Sequence, residues 1–260
     1  IGLLELQDIK SRIPKKEDNI LLKASPFYMN NRELFISFIS SLFSSQYKGE
    51  LSKDEGTISC ESSKKGDFNL LTHQKIVKDY INLYTPYRGL LLYHGLGSGK
   101  TCSSIAIAEG LKTHRQIIVM TPASLRVNYI EELKKCGDKI YRKNQFWEFI
   151  DVKKLPDLTE TLSLALSLPI EIIEKQGGAW LVNIKKASNF DKLSNIEKIS
   201  LDLQLNEMIR IKYKFINYNG LRDSHLNQLS LDGTINPFSD KVIIIDEAHY
   251  LQNAQAQRTK

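Results

Sequence analysis

The chain has 260 residues, 42% of them hydrophobic and 25% charged, which is ordinary for a globular protein able to bury a core. Its net charge of +6 and pI of about 9.0 admit a nucleic-acid partner without requiring one. Cys60, Cys102 and Cys136 form no CxxC pair, which argues against structural zinc; no stretch reaches the roughly 18 apolar residues of a membrane span; and Lys10, Arg12, Lys15 and Lys16 break up the start where a signal peptide would be apolar.

Residues 1–66 read as an N-terminal extension. Leu34, Phe35, Phe38, Ile39, Leu42 and Phe43 fall at helical spacing within SPFYMNNRELFISFISSLF (25–43). That helix could pack on the main domain or bind a partner. The following SQYKGELSKDEGTISCESSKKGD (45–67) is polar and predicts a flexible linker. From Phe68 the character changes. LTHQKIVKDYINLY predicts a helix that stops before Pro86, and RGLLLYHG (88–95) a short buried strand entering a glycine-rich turn. KTCSSIAIAEGLKTH (100–114) predicts a helix with Ile105, Ile107, Ala108 and Leu111 available to the core. QIIVMTP (116–122) predicts a second buried strand, and SLRVNYIEELKKCG (124–137) a helix closed by Gly137. This alternation predicts an α/β fold with a central, mostly parallel sheet.

Residues from about 138 to 213 break the rhythm and predict a mainly helical insertion. Within it, Gly177 should end one helix, and Ser194 with Glu197 has the spacing of a capping box. KFINYNG (214–220) and KVIIID (241–246) then resume the strand pattern. Lys134 and Lys135 read as solvated surface.

HGLGSGKT (94–101) lies between a predicted strand and a predicted helix, the setting a phosphate-binding loop requires. Gly95, Gly97 and Gly99 allow close backbone approach, and the loop amides with the helix N-terminus make an anion site. His94, Leu96, Ser98 and Cys102 complete the segment expected to wrap the nucleotide. Lys100 would reach the β- and γ-phosphates and Thr101 would place its hydroxyl on Mg²⁺. The strict GxxxxGK[ST] pattern has glycine where this chain has His94; the remaining GxGKT keeps the turn, the lysine and the metal ligand. A second acidic element, KVIIIDEAHY (241–250), ends an apolar strand in two carboxylates. Asp246 is placed to hold Mg²⁺ through a water, and Glu247 to orient and deprotonate the attacking water. His249 lies where it could couple the γ-phosphate to a nucleic-acid site.

Together these segments resemble superfamily 2 helicases and translocases of the DEAD/DEAH-like group, with HGLGSGKT similar to motif I and DEAH (246–249) to motif II. The resemblance covers residues 68–255. It implies a RecA-like first lobe over residues 67–260, with ATP and Mg²⁺ as cofactors. LLTHQ (70–74) is similar to the segment carrying an adenine-reading glutamine, here Gln74, and Phe68 is a candidate for stacking on the base. TPASLRVNYIEEL (121–133) looks like motif Ia of the Swi/Snf-like branch, in Pro122, Ser124, Leu125, Asn128 and Tyr129. Ser124, Arg126 and Asn128 are the candidate phosphate-backbone contacts. FINYNGL (215–221) occupies the place of the next nucleic-acid-facing motif. The wording of these motifs is similar to transcription-associated ATPases of large nucleocytoplasmic DNA viruses, the poxvirus-type nucleoside triphosphatase and early-transcription-factor helicases. That likeness implies hydrolysis dependent on double-stranded DNA, a viral RNA polymerase or transcription factors as partners, and a place in the host cytoplasm or virion. A nucleotide switch or a polymerase-docking module without motor activity is the alternative. No second RecA-like lobe follows in this sequence, so the chain alone is expected to bind ATP·Mg and hydrolyse it poorly.

Overall fold

The computed structural model describes residues 9, 11–14, 32–54, 70–81, 88–95, 97–111, 115–153 and 157–250. They belong to two compact units, one drawn from residues 17–111 and the other from 1–16 and 112–260.

Among the described residues, the first unit carries three helices: α1 (Arg32–Asp54), α2 (Thr72–Tyr80) and α3 (Lys100–Leu111). Phe35, Ile39, Phe43 and Tyr47 recur every four residues along α1 and form a buried stripe, with Ile76 and Tyr80 of α2 packed against it. The helix runs on to Asp54 through residues read as linker. Tyr47 explains the extension, since it continues the stripe and its hydroxyl bonds the buried carboxyl of Asp79 on α2. Burial is the largest influence on Asp79 and raises its pKa, against the Tyr47 bond and the charges of Lys78 and Lys75. The rest of the linker reading, and Phe68, lie outside the described residues. The strand predicted over 88–95 is not formed: the segment pairs with no strand among the described residues. Leu91 is 79% and Tyr93 92% exposed. An apolar run marks a strand only if a neighbour completes its hydrogen-bond ladder.

The second unit holds the sheet. β1 (Gln116–Thr121), β4 (Tyr213–Asn217) and β5 (Lys241–Ile245) are all parallel in the order β4-β1-β5. Ile117 lies opposite Tyr213 and Val242, and Thr121 opposite Asn217, so the carboxyl ends of the strands share one edge. Ile118, Met120, Ile216 and Tyr218 form the core of one face, with Leu229, Phe238 and Ile243 packed against it. α4 (Arg126–Cys136) follows β1 through a turn at Ala123–Leu125. It ends at Gly137, where a Cβ would lie 2.4 Å from the Leu133 carbonyl oxygen. Close approach, rather than a left-handed backbone, therefore selects glycine there.

The segment expected to be mainly helical also contains strands. β2 (Trp147–Asp151) pairs antiparallel with β3 (Gly178–Val182). Between them lie α5 (Leu158–Leu166) and α6 (Ile170–Gln176), and α6 ends at Gly177 with φ of 72°. α7 (Asn195–Lys212) starts on the Ser194–Glu197 capping box. Its buried Gln204 accepts a hydrogen bond from Trp180 N at 2.7 Å and donates to Trp180 O at 2.8 Å, so an amide side chain completes the ladder of β3. α8 (Asp223–Ser230) leads towards β5.

Lys134, read as solvated surface, is buried instead. Its ammonium donates to Glu131 at 2.8 Å and Asp202 at 2.7 Å, and Lys143 bridges the same two carboxylates at 2.9 and 2.6 Å. Burial is the largest influence on Glu131 and Asp202 and pushes both upward, but the bonds and charges of the two lysines outweigh it and hold both carboxyls below their usual range. Lys135 is exposed as expected. Among the described residues, no helix is long and apolar enough to cross a membrane.

Candidate functional site

The glycine-rich loop lies in the first unit and opens directly into α3. Gly97 and Gly99 have φ of 77° and 76°, angles at which a side chain would be strained. The carbonyls of His94, Gly95, Ser98 and Gly99 are already occupied. Lys100 Nζ donates to the oxygens of His94 and Gly95, each at 3.0 Å. Ser98 Oγ donates to Gly95 O at 2.9 Å, and His73 Nε2 lies 3.0 Å from Ser98 O. Gln74 Nε2 and Ser103 Oγ both donate to Gly99 O, at 3.1 and 3.2 Å. With these four carbonyls engaged, the loop turns the N-terminus of α3 outward, an end whose N–H groups suit an anion. Lys100 and the half-buried Thr101 stand at that turn. His94 Nδ1 is buried without a hydrogen-bond partner among the described residues. These groups therefore fit a polyphosphate. Cys102 is buried, so only its backbone is offered to the loop. Leu96 lies outside the described residues.

Gln74 is 3% exposed and spans two backbone groups. Its Oε1 accepts from Leu71 N at 3.0 Å, and its Nε2 donates to the loop at Gly99. A Cβ on Gly99 would lie 2.4 Å from that same nitrogen. Gln74 thus braces the loop, and reading a base would require it to exchange these bonds.

The other predicted residues fall in the second unit, at the carboxyl edge of its sheet. After β1, Pro122 leads into the turn that leaves Ser124 exposed, and Asn128 is exposed on α4. Tyr129 turns inward, its ring 6.1 Å edge-on from Phe215. The Arg126 guanidinium stacks over the same Phe215 ring at 5.4 Å, half-buried rather than free in solvent. After β5, Asp246 N donates to Met120 O at 2.9 Å and ties the acid loop to β1. Glu247 adopts φ of 51°, unusual for a residue with a side chain. Its Oε2 lies 3.2 Å from His249 Nδ1, and both side chains are well exposed.

One residue of this edge was missed by sequence reasoning. Tyr218, the first residue after β4, is buried, and its hydroxyl donates to Asp246 O at 2.9 Å and Glu247 O at 3.0 Å. Burial, then the charges of Asp246 and Glu247, push its pKa up to about 12, so it remains a donor through neutral and alkaline pH. The only signal in the sequence is an aromatic at the end of a strand, FINYNGL.

Residues 67–259 match the family described as "Type III restriction enzyme, res subunit" (ResIII). The chain belongs to the ResIII family. This places it with the superfamily 2 helicases and ATPases, and the curated relatives come from large DNA viruses. A protein of Acanthamoeba polyphaga mimivirus named a "putative ATP-dependent RNA helicase" is 48% identical over 69 residues, 26% of this chain. A second mimivirus protein of that description is 39% identical over 85 residues, 30% of this chain. A "putative helicase" of Frog virus 3 (isolate Goorha) is 41% identical over 70 residues, 25% of this chain. The matched segments make up 12%, 7% and 7% of those three proteins. No solved structure matches the ResIII chain.

Proposed function

We propose that this ResIII domain binds ATP·Mg and hydrolyses it when nucleic acid is bound, as the nucleotide-binding lobe of a viral helicase-like translocase acting on double-stranded DNA in transcription. The observation that carries this reading is the loop whose carbonyls are held by Lys100, Ser98, His73 and Gln74, leaving a helix start rich in donors. ATP·Mg, when bound, supplies the phosphoanhydride whose cleavage drives movement. Backbone groups from His94 to Cys102 cradle the phosphates, and Lys100 offsets the charge on the β- and γ-positions. Thr101 and Asp246 hold the magnesium, Asp246 through a water. Glu247 orients the attacking water and takes its proton. His249, beside Glu247, relays nucleic-acid binding to that carboxylate. Ser124, Arg126 and Asn128 contact the phosphate backbone, a sequence-independent grip suited to a motor.

A second reading replaces DNA with RNA, and it is favoured by the names of the two mimivirus relatives. Phosphate release from ATP, measured with no nucleic acid, with duplex DNA and with RNA, separates them. Duplex DNA should stimulate release most, and Glu247→Gln should remove about a hundredfold of it while ATP·Mg affinity persists. Greater stimulation by RNA would select the second reading, and none by either would make the domain a nucleotide switch.

A further inference from the structure

We propose that Tyr218 is a positioning residue that links the segment following β4 to the acid loop, through one hydroxyl shared by the carbonyls of Asp246 and Glu247. The loop needs such a link. Glu247 sits at φ of 51°, a conformation that residues other than glycine keep only where their surroundings fix it. No glycine occurs between positions 246 and 250 to relieve it. Asp246 N is tied to Met120 O, and within the turn Glu247 O accepts from Tyr250 N. The Tyr218 hydroxyl reaches the carbonyls of Asp246 and Glu247 from outside the turn, at 2.9 and 3.0 Å, from 28 and 29 positions earlier in the chain.

The other end of Tyr218 is equally well fixed. Its ring belongs to the cluster of Ile118, Met120 and Ile216, so the position of the hydroxyl is set by β1 and β4. The residue also begins the turn Tyr218–Gly220, which packs against the turn Ala123–Leu125 that carries Ser124. A shift of either turn therefore moves the ring, and the ring moves the carbonyls that set the backbone of Asp246 and Glu247. The consequence for catalysis rests on reading those acids as the metal and water groups; the link itself does not.

Tyr218→Phe removes the hydroxyl and keeps the ring. Amide hydrogen exchange of the whole chain should then quicken by about fivefold at 246–250, the scale of one lost hydrogen bond, while residues 117–120 of β1 stay at native rates. A duplex DNA oligonucleotide should slow exchange at 246–250 in the native chain and not in the variant. ATP turnover should fall several-fold with ATP·Mg affinity held within about twofold, a split that general loss of structure would not give. Native exchange rates at 246–250 in the variant would overturn the link. Faster exchange across β1 as well would also overturn it, by showing a merely structural role. If the native chain bound no ATP·Mg, the functional reading would fall, and the exchange rates would still decide the link.

Discussion

The two loops that the motifs single out are held in opposite ways. The loop at 94–101 is shaped largely by its own residues, with a brace from α2: two glycines at positive φ, a lysine folded onto carbonyls five and six positions back, and Gln74 in the first turn of that helix, 25 positions before Gly99. The loop at 246–250 has no glycine, carries a strained glutamate, and takes its shape from a tyrosine at the end of another strand. The difference shows what a motif can report. Glycines and lysine are the scaffold of the first loop as well as the groups proposed for its chemistry, so the pattern displays both. In the second loop DEAH displays only the proposed chemistry, and the scaffold comes from β1 and from the residue that follows β4.

The largest effect that would sharpen this contrast is Lys134→Met. It leaves Glu131 and Asp202 with only Lys143 in the charge cluster that ties α4 to α7. Urea unfolding at pH 7 should show a loss of about 2–4 kcal/mol, the lower part of the range for a broken buried pair because the carboxylates are partly exposed. The sign with pH follows from the shifts. Glu131 and Asp202 are lowered, so their contribution is full above the unfolded carboxylate pKa and disappears as pH falls through the folded one. Lys143 is raised, so its contribution is full below the unfolded lysine pKa and is lost as pH rises through the folded value. The deficit of the variant should therefore be steady from about pH 5 to 10 and shrink below about pH 4. A deficit unchanged at low pH would separate the stability from the ion pairs.

A smaller effect would test the local character of the first loop. Gly99→Ala places a Cβ 2.4 Å from Gln74 Nε2 at φ of 76°, and should weaken ATP·Mg by about tenfold, as a strained left-handed alanine implies. Gly110→Ala in α3, where a Cβ would meet nothing within 4 Å, should leave affinity at its native value. Equal affinities in the two variants, by titration calorimetry, would break the contrast, because the loop would then not depend on its own glycines.

The same contrast explains what the sequence made legible. The parallel strands 116–121 and 241–245 were readable because each carries a continuous apolar run, 213–217 because Phe215 and Ile216 resume the strand pattern, and Gly177 and Ser194–Glu197 because caps are local chemistry. β2 and β3 were not, since two five-residue strands become a sheet only on meeting across a long intervening segment, with Gln204 completing the edge. Lys134 was misread because one partner, Asp202, lies 68 positions away. The run 88–95 shows the converse error, a strand pattern with no ladder among the described residues. Gln74 does meet the glycine-rich loop, yet the bonds that occupy its amide at Leu71 and Gly99 could not be foreseen from LLTHQ.

The central claim is that the loop at 94–101 is a nucleotide site. Its most direct test is calorimetric titration of ATP·Mg and GTP·Mg into the native chain, Lys100→Ala and Gln74→Ala. The native chain should bind ATP·Mg, and Lys100→Ala should lose at least about a hundredfold of that affinity, the scale of charge-assisted contacts withdrawn from a phosphate. Gln74→Ala should weaken both nucleotides by freeing Gly99, and ATP more than GTP if the glutamine also reads the base. Native affinity in Lys100→Ala would contradict the assignment of the loop.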